Sequence, residues 1–206
     1  DVRMLKEKYP GVPVVSYVNT SAEVKAESDI CCTSANAVKV VESLGVGKVI
    51  FLPDHYLANY VQKNTKVKII SWQGTCMVHE KFTSKEVEDI RKDNPDIKII
   101  AHPECPPDVI SASDFAGSTA SMTKYVKENQ PKKVLLVTEC TMSDNVQVDN
   151  PNVQFIRPCN LCPHMKRITL PKVLDCLENE TNEILMSDDT INKARKSVER
   201  MTEIGR

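Results

Sequence analysis

The chain repeats itself, and that repeat limits the possible folds more than any other feature of the sequence. Displaced by 85 residues, Pro10 falls on Pro95, Val14-Val15 on Ile99-Ile100, Ser28-Asp29 on Ser113-Asp114, Ala35 on Ala120 and Lys48-Val49 on Lys133-Val134, with no gap. One inserted residue then makes the offset 86 and places Cys76 on Cys162, Thr83 on Thr169, Val87 on Val173 and Asp89 on Asp175. The identities are few, but their order is unbroken. Apolar, β-branched runs at 13–18, 48–52 and 67–71, matched by 97–101, 133–137 and 153–157, read as strands, with weaker ones at 29–33 and 114–118. Helical periodicity fits 35–44, 55–64, 83–93 and 169–179, and Thr83 with Glu86 has the capping-box spacing that Thr169 with Lys172 lacks. Strands alternating with helices call for parallel sheets covered on both faces.

The same self-similarity assigns the ends of the chain. Val2, Met4 and Leu5 stand 85 residues before Val87, Asp89 and Ile90. Residues 1–8 are therefore expected to be the tail of a preceding unit, 9–90 a second α/β repeat and 91–180 a third. A cysteine at the matching place in that preceding unit would lie about nine or ten positions before Asp1. The stretch 181–206 has no mate, and it is expected to pack on the absent first domain, with a helix from about 188 to 201. The fold class expected is α/β: a pseudo-threefold repeat of three-layer αβα domains with small parallel sheets, about two repeats being present.

Composition narrows the function classes. With 206 residues, 41% hydrophobic, the chain can bury a sizeable core. Its 27 Lys and Arg against 28 Asp and Glu leave a net charge of −1, so no basic field announces nucleic acid or an anionic membrane, and an anionic ligand has to be caught locally. No apolar run approaches the ~18 residues of a membrane span, and no apolar signal segment opens the chain, so a cytoplasmic protein is expected. The eight cysteines then read as thiols or metal ligands rather than a disulfide framework. Cys159 and Cys162 form a single Cys-x-x-Cys beside His164, and a zinc ribbon would need a second such pair.

Cys76 and Cys162 alone would read as ordinary buried thiols, but their recurrence at matched loop-to-helix positions favours a shared role. Three such thiolates around an axis suit a 4Fe–4S cluster with one open iron better than a structural zinc. Cys31, Cys32, Cys105, Cys140 and Cys176 have no cysteine mates and read as core. At matched strand ends, where open α/β sheets place their ligands, Tyr17-Val18-Asn19 aligns with His102-Pro103-Glu104. A phenol, an amide, an imidazole and a carboxylate form a proton-transfer and hydrogen-bonding set. Thr33-Ser34-Ala35-Asn36 aligns with Ser118-Thr119-Ala120-Ser121, hydroxyl-rich turns that either cap helices or hold an anion. Asp54 and Glu139 also match and read as helix-start carboxylates, while His79 and His164 read as loop residues or supports of the proposed ligands rather than as iron ligands.

Together, Tyr17-Val-Asn-Thr-Ser21, Cys32-Thr-Ser-Ala-Asn-Ala37, Trp72-Gln-Gly-Thr-Cys-Met-Val-His79, Ala101-His-Pro-Glu-Cys105, Gly117-Ser-Thr119 and Cys159-Asn-Leu-Cys-Pro-His-Met165 resemble the quinolinate synthases of de novo NAD biosynthesis, over essentially the whole chain. That resemblance implies three α/β domains around a 4Fe–4S cluster held by one cysteine per domain. It implies a carbon–carbon condensation, with dehydration, of iminosuccinate and dihydroxyacetone phosphate to quinolinate, the open iron acting as a Lewis acid. Carried over by motif, Cys76 and Cys162 look like the second and third cluster ligands, with the third thiolate of the set expected upstream of residue 1, and Cys159 is similar to a non-ligating cysteine of some members. Tyr17, Asn19, Ser34, His102, Glu104 and Thr119 look like substrate-site residues, with Glu104 as general base or acid and Tyr17 and His102 as proton donors or orienters. The resemblance also implies an aspartate-oxidising enzyme as a partner that supplies the imine. Without its first domain the chain is expected to be inactive alone. The alternatives are a non-catalytic iron–sulfur redox or sensor protein and a metal-free sugar-phosphate-binding protein.

Overall fold

The computed structural model describes residues 1–157 and 160–205, so the expectation for Cys159 lies outside the described residues. After α1 (Val2–Lys8), the first copy runs β1 (Val14–Tyr17), α2 (Ala22–Ala26), β2 (Ile30–Cys32), α3 (Ala37–Ser43), β3 (Lys48–Leu52), α4 (His55–Lys63) and β4 (Lys68–Ser71), then a 3-10 turn at His79–Lys81 and α5 (Ser84–Asp93). The second repeats that order with β5 (Ile97–Ala101), α6 (Pro107–Ala112), β6 (Phe115–Ala116), α7 (Thr119–Asn129), β7 (Lys133–Val137), α8 (Met142–Val148), β8 (Gln154–Ile156), a 3-10 turn at Met165–Arg167 and α9 (Leu170–Asn179). A last helix, α10 (Asp188–Ile204), follows.

Each copy builds a four-stranded parallel sheet, ordered β2-β1-β3-β4 and β6-β5-β7-β8. The register carries the sequence repeat: Val14 pairs with Ile50 where Ile99 pairs with Leu135, and Val15 with Ile30 where Ile100 pairs with Phe115. Lys48 pairs with Lys68 but Lys133 with Gln154, so the extra residue of the second copy lies between β7 and β8. Asp29 and Asp114 each accept a 2.8 Å hydrogen bond from the backbone N–H of the first strand in their own sheet, at Val14 and Ile99.

Both faces of each sheet are buried, which is why the strands read as continuous apolar runs. Val15, Val49 and Phe51 face Val40, Leu57 and Val61, while Val14, Ile50 and Leu52 point the other way, onto Val2 and Leu5 of α1. In the second sheet Ile100, Val134 and Leu136 meet Met122 and Val126 of α7, and Ile99, Leu135 and Val137 meet Val87 of α5 and Val109 of α6.

The packing assigns each terminal and linking helix to a surface. Helices α1 and α5 each cover the sheet that follows, because Val2 and Leu5, like Val87 and Ile90, are the apolar residues that fill its open face. The C-terminal α10 packs on α2, β2 and α3 of this chain. Its small residues Ala194 and Ser197 are buried and allow close approach, with Ser197 Oγ 3.4 Å from Cys31 Sγ and Arg200 donating to the Asp29 carbonyl at 2.7 Å. Among the described residues no helix is long and apolar enough to cross a membrane.

Candidate functional site

The polar residues at the C-terminal ends of the strands converge where the two units meet. His102 and Glu104 follow β5 and are buried, as is His79, which stands at the start of the 3-10 turn after Cys76. His79 reaches across to the second unit: its Nε2 lies 2.9 Å from Thr138 Oγ1 at the end of β7, its Nδ1 lies 3.0 Å from Glu104 Oε2, and its ring stacks on that of His102 at 4.6 Å. The Nδ1 contact is one of distance rather than direction, and among the described residues this nitrogen is the only buried side-chain N or O without an aligned hydrogen bond.

The charges in the cluster follow from burial and neighbours. Burial would pull both His79 and Glu104 toward neutrality, but their mutual contact, with the Cys76 thiol close to both, outweighs it: the imidazole is pushed up and the carboxyl down, an ion pair. His102, by contrast, is lowered to about 4 by burial and the His79 charge, with Glu104 opposing only in part. It is therefore neutral at physiological pH. Its Nδ1 accepts from the Glu104 backbone N–H at 3.3 Å, which leaves the proton on Nε2, and that nitrogen donates to Ser34 Oγ at 3.2 Å. Ser34 in turn acts on the Tyr17 phenol, which burial and the Glu104 charge push up to about 12 despite that interaction, so Tyr17 stays a proton donor. Burial also holds the Cys32 and Cys105 thiols well above their ordinary range, so both stay protonated.

Tyr17, Ser34, His102 and Glu104 are thus brought together beside Cys76. Asn19 and Thr119 are exposed, on the turn after β1 and at the first residue of α7, and among the described residues neither side chain is hydrogen-bonded to the cluster. Cys76 and Cys162 are half-buried, each on the loop after the last strand of its sheet. The Cys76 N–H donates to Asp54 Oδ2 at 2.9 Å and the Cys162 N–H to Glu139 Oε1 at 3.3 Å. Because Thr138 adjoins Glu139, a short chain of contacts from His79 through Thr138 links the two cysteine loops.

Cys76, His79 and Glu104 present ligand atoms all within 4.8 Å of one another. His79 and Glu104 already satisfy each other's charge, so the thiol is the donor this group leaves for a metal, and a thiolate suits iron–sulfur chemistry. By sequence alone His79 reads as a loop residue or a support of the ligands. Its mate at the 86 offset is Met165, so the repeat carried no sign of its reach into the second unit.

Known proteins resolve what this arrangement belongs to. The family described as "Quinolinate synthetase A protein" matches residues 1–203. The chain belongs to that family. It is 56% identical over 201 residues to "Quinolinate synthase 2" of Mesorhizobium japonicum, covering 98% of this chain and 62% of that protein. It is 56% identical over 204 residues to the quinolinate synthase of Xylella fastidiosa and 57% over 204 to that of Sinorhizobium fredii, covering 99% of this chain in both cases and 60% and 57% of those relatives. The chain therefore spans about three fifths of the length of the curated relatives it matches.

Proposed function

We propose that this chain forms the larger part of a quinolinate synthase, which condenses iminosuccinate, supplied by an aspartate-oxidising enzyme, with dihydroxyacetone phosphate. The observation that carries the reading is the line of contacts from Tyr17 through Ser34 and His102 to Glu104, His79 and Cys76, which sets proton-transfer groups beside a metal-capable thiol. Cys76 and Cys162 would hold a 4Fe–4S cluster with a third thiolate from an upstream unit, and the cluster would supply a Lewis-acidic iron. That upstream unit would fit against the exposed apolar face of α9, as the second sheet fits against α5.

The residues of this chain do the rest. Glu104, kept ionised by His79, takes the proton that the condensation and its dehydrations release from carbon. Tyr17 and the Nε2–H of His102, joined through Ser34, orient substrate oxygens and return a proton to a leaving hydroxyl. Asn19 and Thr119 stand at the rim, Thr119 at the start of an 11-residue helix whose free N–H groups favour a phosphate or carboxylate. Burial of His79, His102 and Glu104 excludes water from the proton-transfer face.

Completing the chain to the length of its relatives and assaying quinolinate from the two substrates tests the reading. Quinolinate is expected from the completed chain and not from residues 1–206 alone. Glu104→Gln should cut turnover by about a hundredfold or more while the metal content stays. A completed chain that holds its cluster and forms no quinolinate would favour the redox or sensor alternative.

A further inference from the structure

The structure assigns Asp54 and Glu139 a second task beyond starting helices: we infer that each is the positioning residue that aims its unit's cysteine at the cluster, an inference that rests on the proposed cluster ligation. The two acids are mates at the 85 offset, while the cysteines are mates at 86, so the contact is re-established across the inserted residue of the second copy.

Three bonds recur around each cysteine. The residue after the acid donates its N–H to the carbonyl two residues ahead of the cysteine, His55 to Gly74 at 2.8 Å and Cys140 to Asn160 at 3.1 Å. The acid side chain accepts the cysteine N–H, Asp54 at 2.9 Å and Glu139 at 3.3 Å. The cysteine carbonyl then accepts from the residue four on, Glu80 at 2.9 Å and Lys166 at 3.1 Å. The first of these brings Gly74 so near Pro53 that a Cβ there would stand 2.6 Å from the Pro53 carbonyl oxygen.

A helix cap needs only one carboxylate oxygen, and here each acid uses both. Asp54 Oδ1 caps α4 at the Leu57 N–H, 2.7 Å away, while Oδ2 holds Cys76. Glu139 Oε2 takes the Thr141 N–H at 2.8 Å and its hydroxyl, while Oε1 holds Cys162. The carboxylates change length, Asp in one unit and Glu in the other, yet both end on the same backbone atom. An N–H fixed to a rigid strand end fixes the Cα of the cysteine and the direction of its thiol, which is the outer-layer support that metal ligands need.

The test uses the chain completed to the length of its relatives, isolated without oxygen. Asp54→Asn keeps an N-cap of equal quality for α4 but offers only one acceptor oxygen, and Glu139→Gln does the same for its turn. Ser21→Ala, which removes an unrelated helix cap at α2, controls for general stability. Iron loss to a chelator should be roughly ten- to a hundredfold faster in both acid variants than in the parent protein. Their unfolding midpoints should match that of Ser21→Ala, and the cluster midpoint potential should move positive as a negative charge beside the cysteine is lost. Should Asp54→Asn fail to fold, Asp54→Ser, which caps the helix but cannot reach Cys76, is read the same way. Chelation rates and potentials equal to those of the parent in both variants overturn the assignment and leave the cluster standing. A parent protein without iron and sulfide overturns the cluster itself, and the assignment with it.

Discussion

Helices α5 and α9 occupy the same place in the two copies, each directly after a cysteine loop, yet they sit in opposite surroundings. In α5 Val87 is buried with Phe82 against the second sheet, and Arg91 donates to the Ala112 carbonyl at 2.9 Å and to Asp114 at 3.1 Å. In α9 no residue is buried, and Leu170, Val173 and Leu174 are exposed. The loops ahead of them differ alike: His79 is buried against Thr138 and Glu104, whereas its mate Met165 is exposed. The cysteine tether is common to both copies, so the difference shows where the rest of each environment comes from. A unit supplies its own cysteine and tether, and the next unit supplies the cover. The polar cluster at Cys76 is accordingly a property of the junction between units.

Substitutions made in pairs at the 86 offset can break that comparison, and the largest contrast is expected at the loop. His79→Ala leaves the buried Glu104 carboxylate without its charged partner and should cost this chain about 3–5 kcal/mol in urea unfolding, against less than ~0.5 kcal/mol for Met165→Ala. In the helices, Val87→Ala removes two buried methyl groups and should cost roughly 2 kcal/mol, whereas Val173→Ala should be nearly neutral. Equal costs at 87 and 173 would mean that α9 is covered in solution.

Smaller contrasts sharpen the picture. Thr83 closes a capping box with Glu86, while Thr169 makes no side-chain cap, so Thr83→Ala should cost about 1 kcal/mol and Thr169→Ala a few tenths. The smallest effect concerns pH. Burial pulls the Asp114 carboxyl up, but the Ile99 N–H and the Arg91 guanidinium outweigh it and hold it below the ordinary range. A folded-state value below the unfolded one gives stability that is present above about pH 4 and fades as pH falls through the folded value. Asp114→Asn should therefore flatten the acid limb of a stability–pH curve and change little at pH 7 beyond the loss of the Arg91 contact.

Much of the fold was legible because the chain states it twice. β6, only Phe115–Ala116, lies in the weak run 114–118, which has its mate in 29–33. The short helices α2, α6 and α8 carry too few turns for periodicity to mark them. The partner of α10 was not legible, since its apolar stripe of Ile191, Ala194, Val198, Met201 and Ile204 does not say which surface it meets. At the site, His102 and Glu104 stood out by alignment with Tyr17 and Asn19. His79 did not, because its partners Thr138 and Glu104 lie across the unit junction. Asp54 and Glu139 were readable as helix starts, but their grip on Cys76 and Cys162 spans a strand and a loop, and only the folded chain closes it.

The most direct test is iron and acid-labile sulfide analysis of the completed chain, isolated anaerobically, beside Cys76→Ala and Cys162→Ala. Close to four irons and four sulfides per chain are expected in the parent, and most of both should be lost in either variant. A single metal ion without sulfide, or a cluster that survives Cys162→Ala, would contradict a centre shared between the two units.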